Sequence, residues 1–158
     1  MIQPLNSPIE VGVRVLIMLG AVYPSQLDIN RLVLYDYTLL HSSDLGGPES
    51  IHPAVPGRTG EMGLKRTLIE QGLQILRRAG LADISATNTG ILYSASEDAA
   101  GFIAAMSTGY SQKLIERATW VNEQLRDSDD TAIRARLGTI FSAWSEEFDS
   151  APRSRDAK

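Results

Sequence analysis

The residues best suited to chemistry in this chain are few and sit close together. Its two histidines, His41 and His52, flank a glycine- and proline-rich stretch that also carries Asp44 and Glu49. Imidazoles and carboxylates are the donors of a hydrolytic metal site, but none of these residues has the H-E-x-x-H spacing that sets two imidazoles on one metal. The structural alternative is that His41 caps the helix before it and His52 packs against proline. Ser42-Ser43-Asp44 beside His41 offers the residue types of an activated serine, yet no G-x-S-x-G elbow follows a strand. Gly46-Gly47 and Gly57 to Gly60 are too sparse for a phosphate loop, and neither G-x-x-x-x-G-K-[ST] nor G-x-G-x-x-G occurs. The chain has no cysteine, which excludes disulfides, thiolate zinc sites and cysteine nucleophiles and suits a reducing cytoplasm. No catalytic residue, metal or cofactor is therefore expected.

The bulk properties frame this. A chain of 158 residues with 43% hydrophobic and 22% charged residues is long enough for one good core and too apolar for wholesale disorder. Its formal net charge of -4 lacks the basic footprint of an autonomous nucleic-acid binder. Met1 to Pro8 has no basic residue ahead of the apolar run, so it does not read as a signal peptide. The longest apolar stretch, Val11 to Tyr23, is broken by Arg14 and is shorter than the roughly 20 residues a bilayer requires.

The elements that would position these residues are mainly helical. Ser7-Pro8-Ile9-Glu10 combines a cap, a first-turn proline and a capping-box acid, and predicts a helix to about Val22. It is apolar on nearly every side, so it lies either at the centre of the core or under a partner. Ser25 or Asp28 caps a second helix to about Leu40 that is apolar on more than one face. Ser42 to Gly60 reads as loop, too long for a compact domain unless it is functional or disordered. A third helix spans Glu61 to Ala79, with Leu64, Leu68, Ile69, Leu73 and Leu76 as its apolar stripe and Gly80 as its stop. Leu81 to Thr87 and Ile91 to Ala95, joined by Asn88-Thr89-Gly90, form a hairpin. Three more helices follow: from Ser96 to near Gly109, from Tyr110 to Arg126, and from Asp129 to Phe148, where Asp130 and Arg134 make a favourable i,i+4 pair. Residues 1–149 thus read as one domain, with a core at about 8–95 and C-terminal helices at about 97–148, and 150–158 as a loose tail.

Three helices followed by a hairpin is the order of a winged helix-turn-helix, with Ser42 to Gly60 inserted where the motif usually has a turn of about 3–4 residues. The recognition helix of such a fold would carry Lys65, Arg66, Arg77 and Arg78. Arg66 and Arg77, eleven residues apart, face nearly the same way at about 100° per residue. The hairpin, however, has no lysine or arginine and includes Asp83. A wing that grips phosphates needs cations. The four basic residues are therefore either a solvated face, or contact phosphates within a larger complex, or read a sequence. The two tryptophans, Trp120 and Trp144, are either both core, or one of them is an interface anchor.

Several stretches together carry a resemblance: Ser7-Pro8-Ile9-Glu10-Val11-Gly12, Leu39-Leu40-His41-Ser42, Gly46-Gly47-Pro48, Leu64-Lys65-Arg66 and Ala79-Gly80-Leu81. From about residue 6 to 148 the chain resembles the second class of middle components of bacterial ABC three-component conflict systems, the small subunit of Lamassu-type anti-phage defence. The resemblance implies a cytoplasmic, non-catalytic adaptor between an SMC/Rad50-like ABC ATPase and an effector protein such as a nuclease, with DNA met only through the complex and neither membrane nor small-molecule substrate involved. It supplies no catalytic residues. Gly46, Gly47, Pro48, His52, Pro53, Arg58 and Trp144 are the expected partner-binding residues, and Lys65, Arg66, Arg77 and Arg78 the expected nucleic-acid contacts. An autonomous winged-helix transcription regulator is the rival reading.

Overall fold

The computed structural model describes residues 7–52 and 61–137. Pro53, Arg58 and Trp144 lie outside them, as does the predicted helix beyond Leu137. The described elements are α1 (Pro8–Val22), α2 (Ile29–Leu40), a 3-10 turn (Ser42–Leu45), α3 (Glu61–Arg78), β1 (Ala82–Thr87), β2 (Gly90–Ala95), α4 (Ala99–Ala104), α5 (Gly109–Leu125) and α6 (Asp130–Leu137). The protein is thus mainly helical, with a two-stranded antiparallel hairpin between α3 and α4.

Helix α1 is the centre of the molecule. Ser7 accepts a hydrogen bond from the Glu10 amide, as its sequence predicts. Val11, Val15 and Leu16 to Leu19 are buried, so the all-round apolar pattern belongs to a central helix packed against α2, α3, α5, α4 and β2. Its closest approach is to α3. Gly12 and Gly72 meet backbone to backbone: a Cβ at Gly72 would stand 2.9 Å from the Cα and nitrogen of Gly12. Helix α2 starts from Asp28, whose carboxylate accepts from the Arg31 amide at 2.8 Å, and Leu32 to Leu40 are all buried.

Ile69, Leu73 and Leu76 of the predicted α3 stripe are buried and Leu68 packs against the core, so the stripe departs from its expected place at Leu64 alone. Leu64 is 60% exposed, and Lys65, Ile69, Gly72, Leu73 and Leu76 form the inward face. Lys65, next to Leu64, turns inward because α2 presents a carboxylate for its ammonium, as described below. The helix ends in a Schellman motif, with the Gly80 amide on the Arg77 carbonyl and the Leu81 amide on the Leu76 carbonyl.

In the hairpin, Ala82 opposes Ala95, Ile84 opposes Tyr93 and Thr87 opposes Gly90. Leu27, between α1 and α2, exchanges two 2.8 Å backbone hydrogen bonds with Tyr93 and so covers part of the outer edge of β2. Helix α4 is shorter than its sequence suggests. It stops at Ala104, and Thr108 caps the next helix by accepting from the Ser111 amide. On α5 the predicted stripe of Leu114, Ala118, Val121 and Leu125 is buried. Asp130 on α6 pairs with Arg31 at 3.1 Å rather than with Arg134.

Candidate functional site

The first charged centre lies where α1, α2 and α3 meet. Asp36 is fully buried. Arg14 grips both its oxygens, through Nε at 2.8 Å and Nη2 at 3.2 Å, and Lys65 Nζ donates to it at 2.6 Å. Burial alone would raise the Asp36 carboxyl, but Lys65 and then Arg14 more than reverse that and hold it well below the usual carboxylate range. One carboxylate therefore joins three helices. Both ends of the bridge stand among apolar residues: Arg14 interrupts the apolar run of α1, and Asp36 lies between Tyr35 and Tyr37 on α2. A buried acid and a buried base on neighbouring helices each need a partner, and they supply it to one another.

Above this centre sits the first part of the glycine-proline loop. It is a closed loop: the His52 amide donates to the Leu40 carbonyl at 3.0 Å, tying its two ends. His41 forms the C-cap of α2 and its ring lies 4.8 Å from that of Tyr37. Tyr37 in turn donates to Asp44 at 2.5 Å. Ser42 donates to the Pro48 carbonyl at 2.9 Å, and Arg117 of α5 donates to both the Ser42 hydroxyl and the Glu49 carbonyl. The loop turns at Gly46, whose φ of 71° is left-handed and suits a residue without a Cβ. Trp120 of α5 lies directly against Gly47, in space that a Cβ there would occupy. Gly46 and Pro48 face solvent while Gly47 faces Trp120, so this half of the loop is an ordered strap over α5. Substituting alanine for Gly47 is expected to cost about 1–3 kcal/mol through overpacking. Urea denaturation measures this cost, which should largely vanish in a Trp120→Ala background.

Pro53 and Pro56, the prolines that follow His52, lie outside the described residues, and within them His52 has another partner. Its Nε2 and the Tyr110 hydroxyl share a 2.9 Å hydrogen bond. Burial first, and then the positive charge of Arg14, push its pKa down from 6.5 to about 4. The folded protein therefore holds His52 neutral where the unfolded chain would protonate it. Stability is fully present above pH 6.5 and declines as the pH falls towards about 4. The expected result is a melting temperature that drops across that window in the wild type and drops less in His52→Gln, read by thermal melts at a series of pH values.

The second charged region is the outer face of α3. Of its predicted nucleic-acid contacts, Lys65 is engaged with Asp36, and Arg66 bonds Asn30 at 2.5 Å and pairs with Glu70 at 3.6 Å. Arg77 and Arg78 are exposed, and among the described residues neither side chain makes an ion pair or hydrogen bond. With Gln74, Ala82, Asp83 and Ile84 they line an open groove of about 820 Å³ between the end of α3 and β1. A further groove of about 510 Å³, mainly apolar, runs between α1, α4 and α5 past Ile17, Gly20, Tyr23, Ile103 and Ile115. Among the described residues no group of three or more His, Asp or Glu side chains is placed to hold a metal, and no helix is long and apolar enough to cross a membrane.

Residues 4–147 match the family model described as ABC-three component (ABC-3C) system Middle Component 2. The chain belongs to this family. The Middle Component 2 match covers every element described above, from the Ser7 cap to α6. It makes this chain a component of an ABC three-component system, and so a protein that functions among partners. Neither the curated proteins nor the solved structures contain a match to it. In this Middle Component 2 chain, His52 bonds Tyr110 of α5, Ser42 accepts from Arg117 of α5 and Asp44 accepts from Tyr37 of α2, so each ties the loop to a helix.

Proposed function

We propose that this chain is a non-catalytic adaptor of a Lamassu-type anti-phage defence complex, bridging an SMC/Rad50-like ABC ATPase and an effector such as a nuclease. The observation that carries the reading is the family match over residues 4–147. The use of the polar groups supports it. Asp36, His52, Ser42 and Asp44 each hold one element to another, which is the chemistry of a rigid scaffold. Exposed apolar side chains on several elements, among them Ile9, Leu64 and Phe102, supply surface that a partner can cover. In this reading the core is a winged helix, with the Leu27–Tyr93 bridge as its short first strand, and the ATPase provides most of the affinity for DNA. Co-expression with the genes encoded beside it, followed by pull-down on this chain, is expected to recover a stable complex. Recovery of the lone monomer would overturn the reading.

The transcription-regulator alternative draws on exposed Arg77 and Arg78. It requires the isolated chain to hold one duplex at physiological salt with an affinity in the range of about 10⁻⁸–10⁻¹¹ M. A hairpin with no lysine or arginine from Ala82 to Ala95 counts against it.

A further inference from the structure

The two long edges of the hairpin are not equivalent. The outer edge of β2 is covered at Tyr93 by Leu27, through two backbone hydrogen bonds. Among the described residues β1 pairs with β2 alone, so its other edge is open. Which groups that edge presents follows from the register. The Ser96 amide bonds the Leu81 carbonyl at 2.9 Å, which continues the ladder one step beyond Ala82↔Ala95. Hydrogen-bonded pairs alternate along an antiparallel ladder, so Leu81, Asp83, Ser85 and Thr87 bond inward to β2. Ile84 and Ala86 then direct their N–H and C=O groups outward, and both residues are exposed.

Exposed strand edges are normally blunted by lysine, proline or a bulge, because an unpaired ladder invites pairing. The β1 edge, Ala-Asp-Ile-Ser-Ala-Thr, has no lysine or proline, and its six pairs run without a bulge. Its partner-facing chemistry is also defined. Ile84 and Ile91 lie on one face of the hairpin and are 41% and 49% exposed. Beside the edge, the groove of about 820 Å³ holds Arg77 and Arg78 against a single acid, Asp83, with which neither forms an ion pair. Both arginines suit the carbonyl end of the α3 dipole, and their guanidinium groups are left for another carboxylate.

We propose that the open edge of β1 receives an extended, acidic segment of a partner protein. The segment pairs with the backbone of Ile84 and Ala86 and sets carboxylates against Arg77 and Arg78. This is strand addition, in which main-chain bonds give affinity and flanking side chains give selectivity. It rests on the adaptor reading and adds the surface and the chemistry of what that surface takes. Duplex DNA fits it less well, because phosphates do not pair with a strand edge or cover isoleucines, and the hairpin brings no cation of its own.

The test is amide exchange on the full chain, alone and assembled with the co-expressed products of its neighbouring genes. On assembly the amides of Ile84 and Ala86 are expected to slow by about tenfold or more. Ala86→Pro removes an outward N–H and leaves the inward bonds of Ser85 and Thr87 in place. It is expected to weaken assembly by about tenfold at an unchanged melting temperature. Arg77→Glu with Arg78→Glu, which touches no strand backbone, should weaken it by a similar factor. A complex that forms while both amides exchange as in the free chain overturns strand addition and leaves the adaptor reading standing. Assembly indifferent to the double charge reversal overturns it too. Protection of the two amides in the chain alone, rising with concentration, would assign the edge to a second copy. Protection by duplex DNA alone would assign it to nucleic acid, and either result overturns the proposal. Failure of any complex to form brings down the adaptor reading and strand addition together.

Discussion

Asp36→Asn is expected to remove about 3–5 kcal/mol of folding stability, the range for breaking a buried ion pair from one side. Asparagine keeps the shape of the side chain and loses its charge, leaving Arg14, 2% exposed, as a buried cation beside the ammonium of Lys65. Domains of this size hold about 5–15 kcal/mol in total, so the loss would take a large share of the stability. The comparison that isolates charge from packing is the triple variant Arg14→Met, Asp36→Leu, Lys65→Met. It removes all three charges at similar volume and is expected to regain most of the lost stability, since apolar replacements of buried ion pairs are often neutral or better. Urea denaturation of the three proteins measures both steps. Acid separates them further. The folded carboxyl lies below its ordinary value of 3.8, so its stabilising effect is present above that pH and is lost as the pH falls below it. The triple variant should lack this loss. It should keep most of the one that begins at pH 6.5, because that belongs to His52 and burial, the first cause of its shift, is unchanged. A triple variant as unstable as Asp36→Asn would mean that the charges themselves, and not the mismatch left by removing one, hold the three helices together.

What could be read in the sequence divides along a physical line. Caps, apolar periodicity and turn residues act within a few positions of one another, and they place α1, α2, α3, α5 and the hairpin to within a residue or two. Contacts between distant segments leave no such local mark. The apolar pattern of α3 placed Leu64 in the core, but Leu64 is exposed and its neighbour Lys65 reaches Asp36, twenty-nine residues back. Gly46-Gly47-Pro48 stood out as a loop signal. That Gly47 is small because Trp120 covers it depends on a contact that no local pattern encodes. The same holds for the cations of α3. Spacing grouped Arg66 with Arg77, whereas the structure engages Arg66 with Asn30 and Glu70 and leaves Arg77 and Arg78 facing outward. Motif spacing, by contrast, is a property of the sequence itself, so the lack of an H-E-x-x-H, G-x-S-x-G or G-x-x-x-x-G-K-[ST] pattern needs no contact to be read.

Gly72→Val is expected to be as disruptive as any single change outside the charged centre. By helix propensity alone, replacing a mid-helix glycine should stabilise α3 by a few tenths to about 1 kcal/mol. The crossing reverses the sign. A Cβ at this position would come within 2.9 Å of the Gly12 Cα and nitrogen, and those atoms belong to the central helix and cannot swing aside as a side chain could. Moving α3 far enough for valine would also pull at the bond of Lys65 to Asp36, which ties α3 to α2. Overpacking of this kind costs about 1–3 kcal/mol and occasionally more, so a net loss of about 2 kcal/mol or more is expected. Gly12→Ala offers a graded comparison. Its added Cβ meets Gly72 at 3.4 Å, a contact that needs only a small adjustment, and it should cost distinctly less. The order is read from urea midpoints of the two variants against the parent chain. Equal stability of Gly72→Val and the parent would show that α1 and α3 do not cross backbone to backbone, and the placement of α3, with Lys65 inward and Arg77 and Arg78 outward, would have to be redrawn.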